Sequence, residues 1–248
     1  MISFSQALCP PMPLGQFRLF ASFACCFACI LLVGGCVSTS VPPTHTDYVF
    51  VILKTGPQSD AKTPDERQEI FAGHMSNMRR LADRRQLLIA GPFDKPHDPT
   101  WRGVFVLDNP NLRVARSVVN TDPGVVAGVF EPDFRRMQAP ASLRQLYALN
   151  DQETAARAAA PTEPPPNIRA YVMLTADDAD RAERVLAAST LADKVVWKGR
   201  FTDSTGGVWV LDSTSVEEVH NALPADALGP AAIDAWWSTG TLTKLPKD

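Results

Sequence analysis

Histidine and carboxylate side chains are the groups in this chain whose types and spacing suit acid–base chemistry. His74 lies four residues after Ile70 and four before Met78, in a segment where apolar residues recur at helical spacing. This spacing places the imidazole on or beside the buried face of a helix, where it needs a hydrogen-bond partner. An imidazole held by a carboxylate is a usable general base near neutral pH. His74 is therefore a candidate catalytic residue, and the alternative is a histidine with a structural hydrogen bond only.

A second group of such side chains is Asp94, His97 and Asp98, which lie in the proline-interrupted segment DKPHDPTWR. Aspartate and histidine together can bind a metal ion, but a polar loop is the commoner outcome for such a segment. The sequence also has no glycine-rich phosphate loop, serine-nucleophile elbow or helix-borne zinc motif. We therefore predict no metal site and no cofactor.

Length and charge limit the classes of protein to consider. The chain has 248 residues, which fits one large domain or two small ones. Its 24 Lys and Arg residues against 27 Asp and Glu residues give a net charge of -3. Nucleic-acid-binding proteins usually have a marked basic excess. We therefore predict no nucleic-acid partner.

The N-terminal residues are typical of an export signal. Arg18 precedes an apolar run over residues 19–33, which ends at Gly34 and Gly35. A positive flank, a short apolar core and small residues before a cleavage site describe a secretory signal peptide. The sequence therefore predicts a signal peptide over residues 1–35, with translation starting at either Met1 or Met12. All five cysteines lie in the first 36 residues, at Cys9, Cys25, Cys26, Cys29 and Cys36.

The end of this segment, VGGC at residues 33–36, resembles a bacterial lipobox. The resemblance implies lipidation of Cys36 and anchoring of the protein in a membrane of the bacterial cell envelope. Because Val37 rather than an aspartate follows, it also implies the outer membrane, with the protein facing the periplasm. Residues 36–47 then form the lipidated cysteine and a Ser/Thr/Pro-rich tether. The alternatives are an uncleaved N-terminal anchor and a signal cleaved elsewhere.

The elements that would position His74 follow in a regular order. The first strand is predicted over residues 48–54, where apolar residues on both faces indicate that both faces are buried. A helix begins at Pro64, and a second strand over residues 87–90 ends at Gly91 and Pro92. A strand over 102–108, a helix over 110–119 and a strand over 125–134 complete the order strand, helix, strand, strand, helix, strand. This order is typical of a ferredoxin-like α+β unit.

The same pattern returns in the second part of the chain. The run GVFVLD at residues 103–108 aligns with GVWVLD at 207–212, and the same offset places Asp122 on Asp226. We therefore predict a duplication, the alternative being chance similarity between two units of this type. The predicted domains are residues 48–150 and 167–248, joined by an Ala/Pro-rich linker at 151–166, which we interpret as a short helix followed by a stiff polyproline segment. The second copy has RAERV at 181–185 where the first has its histidine, so we expect no such site there.

The first copy resembles the YCII-related family in the runs YVFVILK, HMSNMRRLADRRQLL, AGPF and NTDPGVVAGVFEPDF, which fall within residues 48–134. Members of that family resemble dimeric α/β barrels, in which two ferredoxin-like sheets close face to face. The resemblance implies that the two ferredoxin-like (βαββαβ) units form this barrel within one chain. We therefore predict an intramolecular pseudo-dimer that is monomeric in solution.

The resemblance also implies a site. The family's suspected catalytic pair is a histidine with an acidic residue near a cleft, and the matching positions are His74 and Asp122. Asp122 precedes Pro123, so capping of a turn is its structural explanation. Arg102 is the candidate for binding an anionic substrate.

Two functions follow from these observations. The first is a lipid-anchored envelope protein whose YCII-like module binds a small-molecule ligand or is purely structural. The second is an enzyme acting on a small cyclic or aromatic compound, with His74 as base, Asp122 as its orienting group and Arg102 as the substrate's anion partner. The second requires that His74 and Asp122 meet at an open pocket.

Overall fold

The computed structural model describes residues 44–162, 165–224 and 226–247. The predicted signal peptide, the lipidation site at Cys36 and most of the predicted tether lie outside these residues. No helix within the described ranges has both the length and the apolar character needed to cross a membrane.

Eight antiparallel strands form a closed barrel. The strands are β1 (His45–Thr55), β2 (Leu87–Asp94), β3 (Trp101–Leu107), β4 (Phe130–Pro140), β5 (Ile168–Ala176), β6 (Val195–Phe201), β7 (Gly207–Leu211) and β8 (Ala231–Thr239). Their order around the barrel is β1-β3-β2-β8-β5-β7-β6-β4. The first four strands thus pair as β4-β1-β3-β2 and the last four in the same pattern, as β8-β5-β7-β6. The two sets meet where β2 pairs with β8 and where β4 pairs with β6.

Six α-helices are present in the described part of the chain. They are α1 (Pro64–Asp83), α2 (Leu112–Val119), α3 (Pro123–Val126), α4 (Gln145–Ala158), α5 (Ala179–Ala187) and α6 (Val216–Ala222). Short 3-10 helices occupy Ala141–Arg144, Ala192–Lys194 and Gly240–Lys244. Apart from α3 and α4, the helices and strands follow the predicted order in both halves of the chain.

The core has an inner layer and two outer layers. All eight strands contribute buried side chains to the layer inside the barrel, among them Tyr48, Leu88, Val104, Met137, Tyr171, Trp197, Val208 and Trp236. Alternate residues of β1 pack on the outside with Leu81 of α1, and alternate residues of β5 pack with Leu186 of α5. Every residue from 48 to 53 is therefore buried, which confirms the prediction for both faces of the first strand.

The strand predicted over residues 125–134 was placed too early. Residues 123–126 form α3, and β4 runs from Phe130 to Pro140. The apolar run PGVVAGVF has strand-like composition, but Asp122 caps a helix there and Pro123 occupies its first turn. Gly128, with a φ of 67°, then turns the chain into β4.

The predicted end of the second strand at Gly91 was also wrong, because β2 continues to Asp94. This extension pairs with β8, with Phe93 opposite Trp236. Trp236 Nε1 donates a hydrogen bond to the carbonyl oxygen of Gly91 at 3.0 Å, and Ser238 Oγ donates to that of Ala90 at 2.9 Å. A partner strand thus keeps a Gly-Pro segment extended where local sequence alone favours a turn.

The predicted linker begins inside a helix. Residues 145–158 form α4, so the first half of the segment 151–166 is helical. The Ala-rich composition explains this, since alanine has the highest helix propensity.

Candidate functional site

Helix α1 places His74 and Asn77 on its buried face, together with Leu81. Its start is fixed by a capping box, in which Thr63 Oγ1 accepts from the backbone N–H of Glu66 at 3.3 Å. Glu66 Oε2 accepts from the N–H of Thr63 at 2.8 Å. Gly73, which precedes His74, faces Pro123. A Cβ at Gly73 would lie only 3.0 Å from the side chain of Pro123, so the absence of a side chain permits a close contact. Helix α1 can therefore lie close to α3.

Asp122 is the N-cap of α3 and is fully buried. Its Oδ1 accepts a hydrogen bond from the backbone N–H of Gly124 at 2.8 Å. The structural role foreseen for Asp122 is therefore present. This bond uses only one carboxylate oxygen and leaves Oδ2 for other partners.

The side chains of His74 and Asp122 meet directly. His74 Nδ1 lies 2.8 Å from Asp122 Oδ2, and Asn77 Nδ2 donates to the same oxygen at 3.2 Å. Burial raises the pKa of Asp122. The hydrogen bond from His74, the positive charge that His74 carries when protonated, and the hydrogen bonds from Asn77 and Gly124 lower it by more. The pKa of Asp122 is therefore held below its ordinary value. An ionised carboxylate can only accept hydrogen bonds. When the imidazole of His74 is neutral, its proton is therefore on Nδ1, facing Asp122, and its lone pair is on Nε2.

Asn77 is a site residue that the sequence did not single out. Arg80 Nη2 donates to Asn77 Oδ1 at 2.6 Å and to Thr121 Oγ1 at 2.8 Å. With its oxygen held by Arg80, the amide presents its N–H₂ group to Asp122. The signal in the sequence was the spacing of three between His74 and Asn77, which puts both on one helix face.

A cavity of about 510 Å³ opens beside the imidazole. Three aromatic rings surround His74, with ring centroids 5.1 Å away for Phe130, 5.9 Å for Phe105 and 6.0 Å for Phe71. His74 is only 6% exposed, and Nε2 has no hydrogen-bond partner within the described ranges. Nε2 of His74 is therefore available to a molecule bound in this cavity.

Arg102, the candidate for binding an anionic substrate, lines the same cavity. Its Nε donates to Thr55 Oγ1 at 2.7 Å, which positions the guanidinium on β3. His74 and Arg102 are the titratable side chains among the described residues that line the cavity. The site thus combines one base, one cation and a largely apolar wall.

The second half of the chain supplies part of this wall, which the sequence did not reveal. The contributing residues are Asn167, Ile168, Trp237, Ser238 and Thr239. Phe71, Ile168 and Trp237 are large apolar side chains that stay exposed at this cavity, at 57%, 62% and 39%. The residues of the second half reach the site through the pairing of β8 with β2, and local sequence patterns carry no information on that pairing.

Among its described residues, the second half has no equivalent of the His74–Asp122 pair. Arg181 of α5 donates from Nη2 to the carbonyl oxygen of Asp226 at 2.6 Å and from Nε to that of Ala227 at 2.5 Å. Asp226, aligned with Asp122 in the sequence, is exposed and has a φ of 57°. An arginine bound to backbone carbonyls thus joins helix and turn here, in place of a histidine bound to a carboxylate.

The segment with Asp94, His97 and Asp98 forms the end of β2 and the loop after it. Asp98 accepts hydrogen bonds from Thr100, whereas His97 pairs with Asp234 of β8. Across the described ranges, no group of three or more His, Cys, Asp or Glu side chains is arranged to hold a metal ion.

Comparison with models of protein families gives a match to the first half of the chain. No curated protein matches the chain. The family model of the YCII-related domain matches residues 48–133, a range that includes His74, Arg102 and Asp122. The chain therefore contains a YCII-related domain at residues 48–133.

Proposed function

We propose that this protein is an enzyme whose cavity beside His74 takes a small cyclic or aromatic compound with an anionic group. His74 acts as the general base on that compound. The contact that carries the proposal is the 2.8 Å hydrogen bond between His74 Nδ1 and Asp122 Oδ2, with Nε2 left for the ligand. A carboxylate that orients an imidazole in this way fixes its tautomer and stabilises the imidazolium formed when it takes a proton.

The lining of the cavity restricts the reaction. His74 is the one base there and Arg102 the one cation among the described lining residues, so a single group must both remove and return a proton. Proton transfer next to a carbonyl group, as in isomerisation, meets this requirement. Arg102 would stabilise the negative charge that develops on the substrate oxygen.

The test is proton exchange in D₂O, followed by NMR, with a panel of lactones and cyclic or aryl-substituted keto acids that each carry a carboxylate and a C–H bond next to a carbonyl group. We expect the wild type to exchange a substrate proton for deuterium and Asp122→Asn to do so on the order of 10²-fold more slowly, since an asparagine can hold the opposite tautomer. A thermal-shift titration of both proteins controls for binding. Equal exchange rates in both would contradict the role of His74 as base.

The second candidate is a module that binds the same class of compound without turnover. The observation that favours it is the absence of a second acid or base on the described cavity lining. In that case the panel stabilises the protein, and Arg102→Gln abolishes the stabilisation, but no compound exchanges a proton.

We also propose that the two halves arose by duplication and form an intramolecular pseudo-dimer. Support comes from the repeated strand order, β4-β1-β3-β2 and β8-β5-β7-β6. It also comes from the two seams between the halves, which are the strand pairs β2–β8 and β4–β6. In this view the second half is the built-in partner that completes the wall of the His74 cavity. It needs no histidine of its own for that task.

Finally, we propose that the barrel is held at the bacterial envelope through a lipid on Cys36, as the VGGC run suggests. Two or three acyl chains give a stable anchor, at ~0.8 kcal/mol per buried CH₂. Metabolic labelling with a fatty-acid analogue tests this. Label should enter the wild type and be lost in Cys36→Ser, and equal labelling of both proteins would refute it.

A further inference from the structure

A second histidine–carboxylate pair lies at one mouth of the barrel, away from His74. Asp234 is on the inner face of β8 and is 3% exposed. Its Oδ1 accepts from the backbone N–H of His97 at 2.7 Å, and its Oδ2 lies 2.8 Å from His97 Nδ1. A buried carboxylate needs such partners, and here both come from one residue of the other half of the chain.

The geometry orients the imidazole of His97 towards an opening. With Nδ1 donating to the carboxylate, the neutral ring has its lone pair on Nε2, and this nitrogen has no hydrogen-bond partner in the described part of the chain. The side chain of His97 is 48% exposed and contacts the ring of Trp101 edge-on, with centroids 4.9 Å apart. His97 and Trp101 both line a cavity of about 390 Å³, which is large enough for a small organic ligand.

Arg135 of β4 lines the same cavity. Its guanidinium lies 5.8 Å from the ring centroid of Phe201, and it makes no ion pair with a described residue. Asp133, the neighbouring acid on this face of β4, is paired with Lys54 at 3.0 Å. Asp177 is the other charged residue on the lining, so a ligand anion is attracted to Arg135 and repelled from Asp177.

We propose that this cavity, the barrel-mouth site, binds a small hydroxycarboxylate with a flat apolar part. Arg135 holds the carboxylate, Nε2 of His97 accepts the hydrogen bond of the hydroxyl group, and the flat part packs on Trp101 and Phe201. Asp234 is a positioning residue, since it fixes the tautomer that makes Nε2 an acceptor. This site is separate from the His74 cavity, and neither proposal depends on the other.

The test uses the three hydroxybenzoate isomers as probes, with benzoate and phenol as matched controls that each lack one of the two groups. Binding is followed by NMR through the indole N–H of Trp101 and the ring of His97. We expect at least one isomer to shift these signals, and benzoate and phenol to bind several-fold more weakly. Arg135→Gln should weaken binding about tenfold or more, whereas Arg79→Gln, on the exposed face of α1 and outside both cavities, should leave it unchanged.

Three results would overturn the proposal. The first is that no isomer shifts either signal, in which case His97 and Asp234 only join a loop to β8. The second is binding that survives Arg135→Gln. The third is benzoate binding as tightly as the hydroxybenzoates, which would remove the role of His97. The Trp101 and His97 signals of each variant also report whether it is folded, so that loss of binding is not confused with unfolding.

Discussion

At the scale of single residues, Asp122 caps a helix and also makes the contact on which the proposed chemistry of His74 depends. Asp122 caps α3 through Oδ1 and orients His74 through Oδ2, so one buried carboxylate serves both. From the sequence, either role could be expected for Asp122, with no means of choosing between them. The structure shows that the two roles use different oxygens and are compatible.

The lowered pKa of Asp122 leads to a prediction on pH and stability. A carboxylate whose folded pKa is below its ordinary value of 3.8 adds stability above that pH, and this stability is lost as the pH falls towards the folded pKa. We therefore expect wild type to be more stable than Asp122→Asn at pH 7 by about 1–3 kcal/mol, with a difference that shrinks below about pH 4. Urea unfolding of both proteins from pH 7 to pH 3 measures this. A difference that is the same at every pH would show that the charge of Asp122 contributes nothing.

At the scale of elements, the site depends on how α1, α3 and β4 meet. Helix α1 was predictable, since Pro64, the acidic first turn and the apolar spacing all indicated it. Helix α3 was not, because a four-residue helix has no periodicity and its valines resemble a strand. The Asp-Pro start signal at residues 122–123 was the one local feature that could have identified it.

Gly124 of α3 packs directly against Phe130 at the start of β4. A Cβ there would collide with the ring of Phe130 and would lie 3.0 Å from Asp122 Oδ1. We expect Gly124→Ala to destabilise the protein by about 1–3 kcal/mol, as overpacking does, and to weaken ligand binding by displacing Phe130. Val126→Ala is the matched control, since Val126 lies in the same helix and is 73% exposed. Equal effects of the two substitutions, measured by thermal unfolding, would contradict the packing described for Gly124.

At the scale of the whole molecule, the closed barrel joins the two halves. The sequence predicted the order of most helices and strands, and the burial of both faces of β1 followed from its apolar residues. The seams β2–β8 and β4–β6 were beyond local patterns, because they pair residues more than 60 positions apart, such as Met137 with Phe201. The part of the His74 cavity built by Ile168 and Trp237 was hidden for the same reason.

Closure of the barrel leads to a prediction on assembly. With all eight described strands paired, the described residues leave no open sheet edge to recruit another chain, and the inner core is built by both halves. We expect a chain that begins at Val37 to sediment as a monomer and to unfold in one cooperative transition. A stable dimer, or two separate transitions for the two halves, would show that the halves do not depend on each other as the seams suggest.

The most direct test of the candidate site is the tautomer of His74, measured by ¹⁵N NMR on protein labelled at histidine. The sequence has only four histidines, so each ring can be assigned by substitution. We expect a neutral His74 to carry its proton on Nδ1, to lose this preference in Asp122→Asn, and to show a shift of Nε2 when a ligand occupies the cavity. A proton on Nε2 in the wild type would contradict the assignment of His74 as a base oriented by Asp122.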